Sequence, residues 1–161
     1  KPRLVSDDRS LHFNLSHSSD LALIGISDGG EIGVDVEKIS AERGLEDLVS
    51  SHFSSGERMV LDGLEGGERV DCFYRVWTLK EAYLKAEGVG LIDALSGIEF
   101  DLIDPARAPI VKSPLNEFIP GRWEARSLSV SSGYAAAMVI DGRIGNVVVK
   151  RLVPSEVDFQ G

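Results

Sequence analysis

The spacing of apolar residues divides the chain into a strand regime, a helical regime and a second strand regime. Leu11, Phe13 and Leu15 alternate with His12, Asn14 and Ser16, which predicts a strand over 11–16. Residues 21–27, LALIGIS, form an unbroken apolar run and predict a buried strand, followed by turn residues Asp28, Gly29 and Gly30. In the next run, over 31–37, Ile32, Val34 and Val36 fall on one face and Gly33, Asp35 and Glu37 on the other. Residues 40–69 are polar, with helical stretches near 45–53 and 57–64, the second capped by Ser54 or Ser55. A long helix is predicted over 68–87, ended by glycines at 88 and 90. Its stripe runs Val70, Phe73, Trp77 and then Leu84, and the position that should continue it after Trp77 is Glu81. Alternation returns over 97–103, 122–130 and 134–140. Between them, 104–120 holds four prolines and reads as a loop with a short strand at 110–111; 147–152 is a last edge strand or an extended tail. The expected architecture is α+β, one domain over 1–161, with a mainly antiparallel sheet packed on the 68–87 helix. The expected core includes Trp77, Phe73, Ile24, Ile26, Val34, Val36 and Met138.

Composition narrows the function classes. The 161 residues suffice for a real core, and 43% hydrophobic with 27% charged residues argue against wholesale disorder. The net charge of −9 favours solubility and disfavours non-specific nucleic-acid binding, while leaving room for a local basic pocket that takes a phosphorylated ligand. The single cysteine, Cys72, forms no internal disulfide, and no run approaches the ~20 apolar residues of a membrane span, so a cytoplasmic location is expected. The chain begins KPRL without a methionine, in keeping with a domain cut from a longer chain, a processed product or a truncation.

Three segments carry chemistry. Asp35 and Glu37 point the same way, about 6–7 Å apart along their strand, and two close carboxylates repel unless a cation lies between or beside them. Oxygen ligands without cysteine or clustered histidine suit Mg²⁺ or Mn²⁺; the alternative is a solvated acidic edge strand, against which Gly33 argues by clearing room at the backbone. Glu81 on a buried helix face needs a cation, a metal or hydrogen bonds, with Lys85 in reach one turn on; the alternative is an exposed Glu–Lys pair at a helix end. Ser16 and His17 at a strand end can hold a phosphate oxygen, or form a polar turn. Together these groups suit metal-dependent phosphoryl-type chemistry.

The order FNLSHS, then IGVDVE, then WTLKEAYLKAEGVG resembles the 4′-phosphopantetheinyl transferases, specifically the surfactin-synthetase-activating type. The small holo-acyl-carrier-protein-synthase type starts close to its Asp motif and carries its Ser–His motif late, so it fits worse. The resemblance runs from Lys1–Pro2 to about Ala137.

It implies a 4′-phosphopantetheinyl transferase-like half. Asp35, Glu37 and Glu81 match the carboxylates that ligate Mg²⁺, with Mn²⁺ as a substitute. Ser16 and His17 match a coenzyme A contact, His17 near the 3′-phosphate. Lys80 and Lys85 match the lysines of the helix motif, Lys85 nearer the pyrophosphate, and Lys1 matches a basic residue that precedes the proline. The implied reaction moves 4′-phosphopantetheine from coenzyme A to a serine of an acyl or peptidyl carrier protein, of fatty acid, polyketide or nonribosomal peptide synthesis. 3′,5′-ADP leaves, with Glu81 as the candidate base and Lys85 stabilising charge. The carrier protein would dock near 45–64, with Phe53, Met59 and Leu61 as anchors unless they are simply core. Members of this type have two similar halves, and the chain corresponds mostly to the second. The implied outcomes are a missing or fused first half, a homo-oligomer standing in for it, a domain of a larger synthase, or a non-catalytic half that binds carrier protein or nucleotide.

Overall fold

The alternating segments do form antiparallel pairs in the computed structural model, which describes residues 4–5, 10–40, 44–89, 95–104, 108–115 and 119–152. In chain order the elements are β1 (Leu4–Val5), β2 (Ser10–Ser18), β3 (Leu21–Ser27), β4 (Ile32–Lys38), α1 (Leu45–His52), α2 (Ser55–Asp62), α3 (Gly66–Glu87), β5 (Glu99–Phe100), β6 (Ile110–Lys112), β7 (Trp123–Ser127) and β8 (Tyr134–Asp141). The fold is α+β, as expected, with one long helix packed on antiparallel strands.

The strands make three hydrogen-bonded sheets, β1-β2-β3, β4-β8-β7 and β5-β6, where the sequence led us to expect one. The break falls between β2 and β4, which meet through side chains. Alternate residues of an antiparallel strand turn their N–H groups away from the partner strand. In β4 these amides belong to Val34, Val36 and Lys38, and they are taken by Asn14 Oδ1 (2.9 Å), Ser16 Oγ (3.4 Å) and Ser18 Oγ (3.1 Å). The period-two polar face of β2 therefore closes the free edge of β4 that would otherwise expose unpaired donors.

α3 lies across β4 and β8. Gly33 lets it do so: a Cβ there would overlap the carbonyl oxygen of Ala82 and the amide of Ala86. From Val76 onward the helix is buried on nearly every side, because Leu79, Ala82, Tyr83 and Leu84 pack on the sheet while Phe73 and Val76 meet Phe53, Val49 and Leu61 of α1 and α2. Phe73 stacks on Phe53 at 5.2 Å and on Trp77 at 6.1 Å between centroids. The helix ends at Gly88, left-handed with φ 75°, whose N–H returns to the Leu84 carbonyl. Ser54 caps α2 through a reciprocal box with Glu57.

Several expectations need correction. Ile24 and Ile26 are 60% and 63% exposed, not core, because β3 sits in a two-stranded hairpin covered on one face only. Trp77 is half-buried, whereas Phe73, Val34, Val36 and Met138 are core. The strand expected over 97–103 shrinks to Glu99–Phe100, preceded by a 3₁₀ turn and ended where Asp101 Oδ1 accepts the Ile103 N–H at 3.0 Å. β7 stops at Ser127, and 147–152 forms no strand. No helix among the described residues is long and apolar enough to cross a membrane.

Candidate active site

β2, β4 and α3 converge on one polar cluster. Asp35 is 2% exposed, an environment that a carboxylate tolerates only with cationic or hydrogen-bonding partners. Its Oδ1 accepts from Lys85 Nζ at 2.6 Å and from Ser16 Oγ at 2.8 Å, and Lys85 Nζ also reaches Ser16 Oγ at 3.0 Å. Lys85 thus makes a tertiary contact from the last turn of α3 to β4. Asp35 Oδ2 is buried and has no hydrogen-bond partner. Glu37, two residues along β4, accepts from Ser18 Oγ at 2.8 Å.

Glu81 faces the same space from α3, and its Oε1 is a second buried oxygen without a partner. Burial pushes the Glu81 carboxyl above its ordinary range, and the nearby Asp35 and Glu37 push it further, while Lys85 pulls it back. Burial likewise raises Glu37, with Ser18 opposing. Three carboxylates held partly out of water, two of them with unsatisfied oxygens, form an anionic cluster that one lysine offsets in part.

The donor set fits a hard divalent cation: all the candidate ligands are carboxylate oxygens, and Asp35 Oδ2 and Glu81 Oε1 lack any other partner. Among the described residues, no three acidic, histidine or cysteine side chains stand close enough together to hold a metal ion as they are placed. Lys85 supplies the positive charge on Asp35 instead.

The remaining expected residues are placed as follows. His17 is exposed and, by strand alternation, lies on the opposite face of β2 from Ser16 and Ser18, across from Ala22. Lys1 lies outside the described residues. Lys80 is a correction: it does not face the cluster at all. Its ammonium is fully buried on the far side of α3, ion-paired with Glu57 at 2.8 Å and donating to the carbonyls of Leu95 (2.8 Å) and Ile98 (2.6 Å). All three of its protons are used, so none is left for coenzyme A. Phe53 and Leu61 are core, whereas Met59 is 75% and Val60 44% exposed. Between α1, α2 and α3 a cavity of about 230 Å³ is lined by Leu45, Val49, Leu61, Val70 and Phe73. Cys72 is half-buried against the cluster of Val49, Phe53, Leu61, Phe73 and Val76, and burial raises its thiol pKa, which argues against a nucleophile.

Two participants escaped the sequence reading. Ser18 holds Glu37, and Glu57 holds Lys80. The signal for Ser18 was present in the period-two series Asn14, Ser16, Ser18, which shares one face of β2. For Glu57, nothing local in the sequence marks its tertiary partner.

The 4′-phosphopantetheinyl transferase superfamily profile matches residues 31–139. The 4′-phosphopantetheinyl transferase HetI of Nostoc sp. is 34% identical over 135 residues, which cover 84% of this chain and 54% of that protein. AcpT of Escherichia coli, also a 4′-phosphopantetheinyl transferase, is 40% identical over 78 residues, covering 48% of this chain and 40% of that protein. The chain spans about half or less of the length of these curated relatives. Among solved structures, a holo-(acyl-carrier-protein) synthase from Bacillus anthracis in complex with CoA (3′,5′-ADP) superposes with a TM-score of 0.56 at 27% identity, over 71% of this chain and 96% of that one.

Proposed function

We propose, since this chain belongs to the 4′-phosphopantetheinyl transferase superfamily, that it transfers 4′-phosphopantetheine from coenzyme A to a serine of an acyl or peptidyl carrier protein. The observation that carries the reading is the pair of buried, partnerless oxygens, Asp35 Oδ2 and Glu81 Oε1, on carboxylates that interact electrostatically with each other and with Lys85. Asp35, Glu37 and Glu81 would hold Mg²⁺ or Mn²⁺. The chemistry a divalent cation supplies in such a site is neutralisation of charge on pyrophosphate oxygens.

The chain's own groups account for the rest. The carrier serine Oγ bonds to the β-phosphorus of coenzyme A, the bond from that phosphorus to the bridging oxygen breaks, and 3′,5′-ADP leaves. Glu81 takes the serine proton; burial and the neighbouring carboxylates raise its pKa, which strengthens it as a base. Lys85, 29% exposed at its side chain, keeps contact with both the pocket and solvent and can meet a pyrophosphate oxygen. His17, exposed, remains the coenzyme A contact of this reading, whereas Ser16 is buried and spends its proton on Asp35 and its acceptor sites on the Val36 N–H and Lys85. Met59 and Val60, exposed on α2, are the carrier-docking candidates.

The larger, two-half type remains our reading of the subtype, because the Ser–His strand precedes the acidic strand in the chain. This reading includes self-association, a dimer or trimer with the site at its interface, which light scattering checks. A second reading is a half-domain that binds carrier protein or nucleotide without turnover. Mass spectrometry of an apo carrier protein incubated with the chain, coenzyme A and Mg²⁺, with Glu81→Gln as control, separates them. A gain of the phosphopantetheine mass that vanishes in the control supports transfer; no gain with a folded chain turns the reading to the half-domain.

A further inference from the structure

The two serines of β2 repeat one arrangement. Ser16 Oγ accepts the N–H of Val36 and donates to Asp35; Ser18 Oγ accepts the N–H of Lys38 (3.1 Å) and donates to Glu37 Oε2 (2.8 Å). A hydroxyl has one proton to give. Here the β4 amide occupies an acceptor site and so orients the hydroxyl, whose single proton goes to the carboxylate of the residue before that amide. Asn14, one rung earlier, accepts the Val34 N–H at 2.9 Å but faces no carboxylate, because the corresponding position of β4 is Gly33. The hydroxyls stand only where β4 carries an acid.

At Asp35 the consequence is visible. The serine and Lys85 both take Oδ1, and Oδ2 is the oxygen left buried and unpartnered. Engaging one oxygen selects which oxygen is presented to the pocket.

We propose that Ser18 is a positioning residue for the cation site: its amide-anchored hydroxyl holds Glu37 Oε2 so that the other carboxylate oxygen is presented beside Asp35 and Glu81. The inference rests on the reading of Asp35, Glu37 and Glu81 as ligands of a divalent cation. It does not depend on transfer to a carrier protein. Partners that orient a ligating carboxylate commonly matter to metal affinity by about 10–100-fold.

The test uses the purified chain and Mn²⁺ alone, titrated by electron paramagnetic resonance, with thermal melts of every variant. Ser18→Ala is expected to weaken Mn²⁺ about tenfold with little change in melting temperature, since Ser18 is at the end of its strand and only part-buried. Ser18→Thr, which keeps the hydroxyl, is expected to restore wild-type affinity. Glu37→Gln marks the loss expected when the ligand itself is removed. Wild-type affinity in Ser18→Ala overturns the proposal, as does equal weakening in Ser18→Thr. A Ser18→Ala defect that tracks a fall in melting temperature overturns it in favour of a purely structural ladder. A folded wild-type chain that binds no Mn²⁺ at millimolar concentration overturns both this proposal and the metal reading. Mn²⁺ binding with the expected series but no transfer to carrier protein removes only the transferase reading.

Discussion

Two lysines five residues apart on α3 each grip a buried carboxylate, and the two grips are unlike. Lys80 and Glu57 are both fully buried, and every polar atom of the pair is used. Glu57 Oε2 takes the Ser54 N–H (2.9 Å) and Lys80, Oε1 takes the Phe100 N–H (3.1 Å), and Lys80 adds two carbonyls. Burial pushes Glu57 up and Lys80 down, and their mutual contact opposes both shifts. Lys85 and Asp35, in contrast, leave one carboxylate oxygen without a partner and keep the lysine partly in water. A saturated pair has nothing left to bind with, so it can only hold α2, α3 and the 95–100 segment together. An unsaturated pair has spare valence directed into a pocket, which is what a ligand site requires.

Breaking the saturated pair should have the largest effect. Glu57→Ala leaves a buried ammonium and two backbone amides unpaired and is expected to cost roughly 3–5 kcal/mol in urea unfolding. Replacing both partners by apolar residues should recover little, because the amides of Ser54 and Phe100 and the carbonyls of Leu95 and Ile98 would still be orphaned.

Removing a carboxylate from the unsaturated cluster should act on activity instead. Glu81→Gln is expected to lower carrier-protein modification by at least about 100-fold, roughly 2.7 kcal/mol, in a mass-spectrometric rate assay. Since burial and its acidic neighbours disfavour the charged form of Glu81, the same variant should melt about 2 °C higher in the absence of divalent cations. A fall in both activity and melting temperature would erase the distinction between the two lysine grips.

The smallest effect concerns a third polar group on the helix. Tyr83 is buried, its hydroxyl held by Glu87 (3.2 Å) and Ser113 (3.1 Å), and burial pushes its phenol up to about 12. An unfolded phenol ionises near 10, so between these values the folded chain keeps a proton that the unfolded chain has lost. Stability should therefore fall as the pH rises from about 10 to about 12, by up to about 1.4 kcal/mol per pH unit. Tyr83→Phe should flatten that limb in denaturant titrations.

The sequence exposed the acidic strand, the helix bearing Glu81 and Lys85, and the capped α2, because each follows from a local period or a three-residue cap. It was silent where partners are distant in the chain. Lys80 looked like its neighbour Lys85 because both belong to one motif; what separates them is Glu57, 23 residues upstream, and the carbonyls of Leu95 and Ile98. Ile24 and Ile26 looked buried because an apolar run does not say how many of its faces are covered. The side-chain ladder from β2 to β4 was invisible for the same reason: a polar face in a strand reads as solvent-exposed until another strand edge is set against it.

The contact of Gly33 with the α3 backbone acts as a mechanical stop. Asp35 and Glu37 ride on the strand, Glu81 and Lys85 on the helix, and the two elements meet main chain to main chain at a point two residues from Asp35 and one from Glu81. The gauge of the pocket is thereby set by peptide geometry and is indifferent to which apolar side chains fill the rest of the interface. Exchange of those side chains by similar volumes should leave the gauge unchanged. A methyl group at residue 33 would force the helix outward by on the order of 1 Å and reset the span across which every opposing pair of charged groups must work.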